Sequence, residues 1–503
     1  MRIKQLIKAL GNFSNYSNLA DFEVSGISCN SKAVKDGFIF VAIRGNRQDG
    51  NKFIEEAIER GAKAIIVQSP SHPLSPAGRQ VILSRRQAGK STAKIPFIRV
   101  KDTRKALAKL AAEFYGSPSS KIKVIGVTGT NGKTTITYLL EALLKEAEFL
   151  PAVIGTINYR FKDKIIPSKN TTPGPIELQS LLADMLKTGI DYAIIEVSSH
   201  ALDQDRTLGI KFHSAVFTNL TQDHLDYHKT LENYFRSKAK LFENISPPAF
   251  AVINNDDRYG RRIKELTKAR IITYGIKNKA DIRARDIKFD CLHTEFKLLG
   301  AGLETDFRSR LIGIHNVYNI LATVGWALQE GITPATIKSV LEGFSLVPGR
   351  LERIDFAGDF SVFVDYAHTE DALKNILKTL RPLTKKRIIV VFGCGGERDK
   401  TKRPKMGRLA SELSDYAIIT SDNPRSEDPM EIIRDIKRGI KKNNYSVMPQ
   451  RLDAIRESLS LAKPGDIVLV AGKGHENYQI LKDRSIPFDD REAVKECLKS
   501  MNC

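Results

Sequence analysis

The sequence predicts an α/β protein of three domains: a smaller N-terminal α/β domain, a central P-loop-type, mostly parallel sheet with helices on both faces, and a C-terminal doubly wound α/β domain. Three observations carry this. The chain has 503 residues, room for about three domains at roughly 150 residues each. From Lys121 onward, short apolar runs alternate with helical patterns, as a parallel sheet requires. Beyond Gly349, four buried-type runs recur at Ser361–Val364, Arg387–Phe392, Tyr416–Thr420 and Asp466–Val470, with helical segments between them.

In the N-terminal part, strand-like runs lie at Gly37–Ala42, Ala64–Val67 and Phe97–Val100. Ser69–Lys94, rich in Ser, Pro, Arg and Gly, reads as a long loop. Gly116–Ser120 reads as a linker, and Phe344–Gly349 as a second boundary. The expected domains are therefore residues 1–119, 120–346 and 347–503. With 42% apolar and 27% charged residues, the composition is that of a globular protein and excludes disordered, collagen-like and disulfide-scaffold classes. No apolar run approaches the roughly 18 to 20 residues of a membrane span. The start, MRIKQLIKALGNF, is interrupted by Lys4 and Lys8 and makes a poor signal peptide. Five cysteines without a CxxC pair point away from disulfides and zinc and towards the cytoplasm. Lys and Arg number 79 against 58 Asp and Glu, a net charge of +21. Such an excess suits a polyanionic partner such as nucleic acid, a membrane surface or a phosphorylated substrate. The cations are dispersed along the chain, which favours a solvated basic surface instead.

The strongest local signal is Lys121–Thr135, KIKVIGVTGTNGKTT, an apolar strand running through a glycine-rich turn into the helical pattern TTITYLLEALLKEA. A phosphate chain needs this order of elements. Glycines let backbone N–H groups approach, the helix start offers partial positive charge, Lys133 can meet β/γ-phosphates, and the Thr134 hydroxyl can bind Mg²⁺. Val127 stands where the first glycine of the usual motif would fall, so this is a variant P-loop. A second strand, Asp191–Val197, carries Glu196 at its end, followed by Ser198-Ser199-His200; an acid there is placed to serve a metal ion. Asn219–His228 and Tyr234–Phe242 hold His224 and Lys238. By themselves they read as a loop histidine and a solvated helix lysine.

The segments TGTNGKTT, IIEVSSHALDQDR, NLTQDHLDYH, YFRSKAKLF, GIHNVYN, PGRLERI, VDYAHTEDAL and GCGGERDKTKRPKMG occur in this order. Their order and spacing resemble the Mur ligase family, ATP-dependent amide ligases of peptidoglycan precursor synthesis, over about residues 25–480. With NSKAVKDGFIFVAIRG, DNPRSEDP and AGKGHENYQ added, the resemblance is nearest to the branch that joins meso-2,6-diaminopimelate to UDP-N-acetylmuramoyl-L-alanyl-D-glutamate. The resemblance implies that Thr128, Gly129, Thr130, Asn131, Gly132, Lys133 and Thr134 hold ATP together with Asn316, Arg350 and Asp365. It implies one Mg²⁺ on Thr134 and Glu196, and a second on His224 and on Lys238 converted by CO₂ to a carbamate. Lys133, Glu196, His224 and Lys238 would then be catalytic. Asn170, Thr171, Thr172, Ser198, Gln204 and Arg206 match contacts to the muramoyl-dipeptide. Cys29, Ser31, Asn46, Arg47 and Gln48 fall in the uridine-nucleotide region, where Asn30-Ser31-Lys32 departs from the family's Asp-Ser-Arg. Arg398, Asp422, Asn423, Pro424, Arg425, Gly472 and Glu476 match the amino-acid pocket.

The charge logic of that pocket is direct. The far end of diaminopimelate carries a carboxylate beside an ammonium; Arg425 can fork onto the first and Glu476 can answer the second. Lysine lacks the far carboxylate and would leave Arg425 unpaired. The competing readings are a lysine-adding or folylpolyglutamate-type ligase of the same fold, and a nucleic-acid-binding P-loop NTPase. The favoured reading carries small-molecule partners only, no nucleic acid, no membrane span, and a monomer in the cytoplasm.

Overall fold

The computed structural model describes residues 1–11, 19–45, 48–68 and 95–501. Asn46, Arg47 and the expected loop Ser69–Lys94 lie outside the described residues. The chain forms two compact units, one of residues 1–126 with 149–214, the other of residues 127–148 with 215–503.

The first unit opens with a four-stranded parallel sheet in chain order: Gly26–Ser28, Phe38–Val41, Ala64–Gln68 and Phe97–Val100. Its strands alternate between two cores. Ile39, Val41, Ala64, Ile66, Ile98 and Val100 face the helices Ile3–Lys8 and Thr103–Phe114, while Phe40, Ala42 and Ile65 face the helix Ile54–Glu59. That is the period-two pattern of a sheet buried on both sides. The helix Thr103–Phe114 starts where it does because Asp102 accepts the backbone N–H groups of Arg104 and Lys105. The expected linker at Gly116–Ser120 is an ordered turn: Pro118 and Ser119 are buried, and Ser119 Oγ accepts the Lys211 N–H at 3.0 Å. The unit also contains Tyr192–Glu196, parallel to Pro151–Ile154, which continues into an antiparallel meander through Asn158–Phe161 and Lys164–Pro167.

The second unit holds the helix Lys133–Glu146, packed against the long helix Ile314–Glu330. Its strands Phe250–Asn254, Arg270–Gly275 and the start of Ile282–Phe289 are parallel. Thr294–Gly300 and Leu303–Ser309 add an antiparallel arm. Neither this arm nor the Asn158–Pro167 meander is visible in an expectation of a mostly parallel sheet.

The C-terminal sheet of this unit has six strands in the order Glu352–Ile354, Ser361–Asp365, Ile467–Ala471, Ile388–Phe392, Tyr416–Ile419, Tyr445–Val447. All neighbours are parallel except the first pair. The four expected strands are present to within a residue at each end. The two edge strands, Glu352–Ile354 and Tyr445–Val447, carry too little apolar sequence to stand out. Ile388, Val390, Phe392, Ile467, Leu469 and Ala471 pack on the helices Glu370–Leu380, Lys402–Leu413 and Pro429–Lys437. Ile389, Val391, Val468 and Val470 pack on Arg451–Ser460 and Asp490–Met501. The strand that follows Arg451–Ser460 returns to the middle of the sheet. The loops after Asp365, Phe392, Ile419 and Ala471 therefore share one edge, the place where open parallel sheets bind ligands.

Candidate active site

In the second unit the glycine-rich turn wraps the start of an uncapped helix. Gly132, the N-cap, has φ 92° and no side-chain cap follows it, so the first N–H groups of the helix point into the turn. Gly129 (φ 150°) could not carry a side chain: a Cβ there would lie 1.7 Å from Thr218 Oγ1. Val127 needs no glycine because it is a fully buried strand residue. The turn is held from outside by Asn219, whose side chain accepts the Asn131 N–H at 3.1 Å and donates to the Asn131 carbonyl at 3.2 Å.

Two lysines converge here. Lys133 Nζ donates to the carbonyls of Gly129 (3.0 Å) and Thr130 (2.7 Å), and Lys238 Nζ donates to the same Gly129 carbonyl at 2.7 Å. Lys238 is 1% exposed, so the solvated-lysine reading is corrected: the helix Leu231–Glu243 turns that face inward, with Tyr234, Phe235, Leu241 and Phe242. Burial, with Lys133 beside it, holds the Lys238 pKa well below the usual lysine value, against a pull from Asp223. Its ammonium also lies over the Tyr234 ring, 4.7 Å from the centroid. His224 sits at φ 53° with Nε2 3.5 Å from Asp223. Packing around the ring, with Lys133 and Lys238 near, lowers its pKa even though 45% of the side chain is exposed. The neutral imidazole is the form that ligates metals. Among the described residues no group of three or more His, Cys, Asp or Glu is arranged to hold a metal ion; of the expected set only Glu196 and His224 are residues of those types.

Arg350 reaches the helix start, its Nη2 3.2 Å from Thr134 Oγ1, and its guanidinium lies 4.7 Å over the Tyr366 ring. Asp365 spends both oxygens on the backbone, accepting Leu351 N–H (2.6 Å) and Ala367 N–H (2.8 Å), and burial raises its pKa to about 6 although Arg350 opposes this. Asn316 is buried and takes the Asn319 amide at 3.0 Å.

The loops at the C-terminal sheet edge gather the other expected residues. Asn423 Nδ2 donates to Glu476 Oε2 (2.8 Å), and Asn423 Oδ1 accepts from Ile480 N–H (2.8 Å) and Lys473 (3.3 Å). Lys473, fully buried, also pairs with Glu476 at 3.1 Å. Burial raises the Glu476 pKa and Lys473 lowers it. Asp422 Oδ2 is buried without a hydrogen-bond partner, beside Gly472, where a Cβ would lie 2.8 Å from that oxygen. Arg425 (φ 53°) donates to the carbonyls of Gly396 (2.8 Å) and Asn423 (3.3 Å) and pairs with no carboxylate among the described residues. Pro424 is buried; Arg398 is exposed and flanks Gly395 together with Arg425.

In the first unit a separate network forms. Glu196 accepts the Thr156 N–H and hydroxyl, both at 2.9 Å, and Thr156 meets Thr171 at 3.0 Å. Thr172 Oγ1 donates to the Glu196 carbonyl at 2.7 Å and accepts the Ser198 N–H at 3.0 Å. Arg206 ties the Thr172 carbonyl (2.9 Å) to Gln204 (2.7 Å), and the Asn170 carbonyl accepts from Tyr159 at 2.6 Å. Ser31 is buried and donates to Glu56 at 2.6 Å, whereas Cys29 and Gln48 are exposed.

Comparison with known proteins bears on what these sites share. Residues 23–115 match the model described as Mur ligase family, catalytic domain; residues 127–327 match the Mur ligase middle domain; residues 349–474 match the Mur ligase, glutamate ligase domain. The chain is 45% identical over 481 residues to the UDP-N-acetylmuramoyl-L-alanyl-D-glutamate--2,6-diaminopimelate ligase of Clostridium botulinum, covering 95% of this chain and 96% of the relative. It is 43% identical over 503 residues to the protein of the same name from Clostridium tetani, covering 100% of each.

The chain belongs to the Mur ligase family.

A solved structure of a UDP-N-acetylmuramoyl-L-alanyl-D-glutamate--2,6-diaminopimelate ligase superposes with a TM-score of 0.65 at 32% identity, over 95% of this chain and 96% of that one. The MurF ligase from Thermotoga maritima in complex with ADP shares the fold, with a TM-score of 0.62 at 21% identity over 94% and 97% of the two chains. On this Mur ligase fold, motif reading found the residues that touch one another through a turn and missed those that hold them. Thr156, Asn219, Tyr234 and Lys473 are of the second kind. Lys473 lies inside AGKGHE, between Gly472 and Glu476, and its glycine neighbours take φ 120° and 55°.

Proposed function

We propose that this Mur ligase family member joins meso-2,6-diaminopimelate to UDP-N-acetylmuramoyl-L-alanyl-D-glutamate at the expense of ATP. The observation that carries the reading is the C-terminal loop cluster. It presents a guanidinium, Arg425, without a carboxylate partner among the described residues, and, in the same loops, a buried carboxylate oxygen, Asp422 Oδ2, that accepts no hydrogen bond among the described residues although Arg451 and Lys473 act on its charge. A buried unpaired acid oxygen is costly. A zwitterionic end, with carboxylate next to ammonium, satisfies both groups at once. Residues 1–119 would take the uridine nucleotide, 120–346 ATP and 347–503 the amino acid.

The chemistry divides into two displacements. A substrate carboxylate oxygen bonds to the γ-phosphorus of ATP and the bond to ADP breaks. The amine of diaminopimelate then bonds to the acyl carbon, phosphate leaves, and the nitrogen sheds its proton. Lys133 meets the phosphate charge, and the helix start behind it adds N–H donors. Arg350 can bridge the helix start and the C-terminal loops. Thr172, Ser198, Gln204 and Arg206 would hold the muramoyl-dipeptide, and Asn316 and Asp365 the nucleoside.

The residues also fit a metal site. Lys238 is an ammonium in a poor place for one, buried next to a second lysine, and the downward pull on its pKa favours the neutral amine. Attack of that neutral amine on CO₂ forms an N–C bond, releases one proton and leaves an anionic carbamate. Thr134 would hold one Mg²⁺, and His224 with the carbamate a second; bound there, the ions would neutralise charge where two anions meet. Phosphate release measured with ATP, the uridine-nucleotide dipeptide and each candidate acceptor tests the reading. Release should require diaminopimelate. Equal release with lysine, or release stimulated by DNA or RNA without the dipeptide, would refute it.

A further inference from the structure

Asp371 is the second residue of the helix Glu370–Leu380, whose apolar face packs on the C-terminal sheet. Its Oδ2 accepts three donors: Thr221 Oγ1 at 2.8 Å, Asn375 Nδ2 at 3.1 Å and Asn131 Nδ2 at 3.4 Å. Asn375 lies one turn along the same helix. The other two donors come from the phosphate-loop side. Asn131 belongs to the loop itself, and Thr221 clasps it, its N–H reaching Thr130 Oγ1 at 3.1 Å. The loop backbone does not need Asp371 for its shape, since Asn219 and Thr218 already hold both polar groups of the Asn131 main chain. What Asp371 adds is a tie between the loop and the sheet that carries Asp422–Arg425. No cation pairs with it among the described residues, so its charge is committed to these neutral donors, and such charge-assisted bonds are the stronger kind.

The tie matters because the two displacements use groups on different sheets. The acyl phosphate arises at the loop, and the attacking amine is carried by the C-terminal loops. Reaction needs the two atoms within about 3 to 3.5 Å and aligned. We propose that Asp371 is a positioning residue, the clasp that holds the C-terminal sheet in register with the phosphate loop for the amine step. This rests on the reading of the loop as the ATP site and of the C-terminal edge as the amine site.

Asp371→Asn keeps the volume and one acceptor oxygen but removes the charge, leaving weaker neutral bonds to the three donors. It should lower kcat about tenfold or more, the scale of one charge-assisted hydrogen bond. The affinity for a non-hydrolysable ATP analogue should stay within about threefold, because Lys133 and the loop backbone are untouched. Thr221→Val, which removes the partner from the other side, should do the same. The double variant should be no worse than the worse single one, since both remove one contact. A merely stabilising role would shift the melting temperature and leave kcat of the folded enzyme alone. Parent-like kcat in Asp371→Asn, or losses that multiply in the double variant, overturn the clasp. Lys133→Ala is the separate check: it should lose the analogue, and if it does not, the ATP reading fails and the proposal falls with it. If it does while Asp371→Asn is unaffected, only the clasp fails.

Discussion

At the scale of single residues, the site sets cations against backbone carbonyls and against one another. Lys238 and Lys133 share one carbonyl, Gly129. Burial, with Lys133 beside it, lowers the Lys238 pKa well below the usual lysine value and so favours its neutral form. Lys238→Ala should therefore abolish turnover, and short carboxylic acids added to that variant should restore part of it by supplying the anion; an active Lys238→Ala enzyme would remove the lysine from the mechanism. Arg425 shows the same logic with opposite sign. Its guanidinium rests on two carbonyls and on no carboxylate among the described residues. Arg425→Ala should lower kcat/KM for diaminopimelate by roughly tenfold to a hundredfold, the worth of a charge-assisted pair of about 1.5 to 3 kcal/mol. Turnover with lysine, poor at the outset, should not fall further. The ratio of the two kcat/KM values, parent against variant, is the measurement.

At the scale of elements, the phosphate loop is a turn whose shape is imposed by its neighbours. Thr218 donates to the Asn131 carbonyl at 2.6 Å and stands where a Cβ on Gly129 would go. Gly129→Ala must displace Thr218 or the loop, and also places a side chain at φ 150°. Nucleotide affinity should drop at least about tenfold, with a stability loss of about 1 to 3 kcal/mol for the strained backbone. Calorimetric titration with ADP and a denaturant melt would check the two parts. The C-terminal strands are simpler. Their alternation between two cores follows from side chains pointing to opposite faces, which is why four of them are legible as apolar runs.

At the scale of the whole molecule, three half-buried histidines contribute to acid sensitivity. Burial lowers His315 and His368 to about 4, helped at His368 by Lys402, and lowers His475 to about 3, helped by Arg350. The native state keeps these rings neutral while the unfolded chain protonates them near pH 6.5. Stability is therefore complete above about pH 6.5 and falls as pH drops towards 4, because the unfolded state binds more protons. Asp365, raised to about 6, works the other way between about pH 4 and 6 and removes part of the slope. Denaturant midpoints measured from pH 7.5 down to 4.5 should fall, and a His368→Asn, His475→Gln variant should show a shallower decline; a flat profile in the parent would contradict the burial of these rings.

Local order was determined by the sequence alone. The strand, the glycine turn, the Lys-Thr pair and the helix that follow Lys121 are neighbours in the chain, so short-range sterics and hydrogen bonding are enough to make them. Val127 in place of a glycine is explained by the same local fact, since it is still strand. The motif order also determined the family. Tertiary structure alone decided which charged side chains are buried and what they meet. Lys238 reads as a surface lysine until a carbonyl 109 residues away takes its ammonium. Asp371 reads as an ordinary first-turn acid until Thr221 and Asn131, 150 and 240 residues away, converge on it. Lys473 looks like one more of 79 cations until Asn423 and Glu476 take its ammonium. The antiparallel strands from Ile282 to Ser309 pack on helices, and their buried and exposed residues alternate over Thr294–Leu298 and Leu303–Ser309; that period-two signal is present in the sequence, but the antiparallel pairing partner is not. Such contacts are fixed by packing across the whole chain, where the gain from burying the apolar faces positions polar groups that have no local reason to meet.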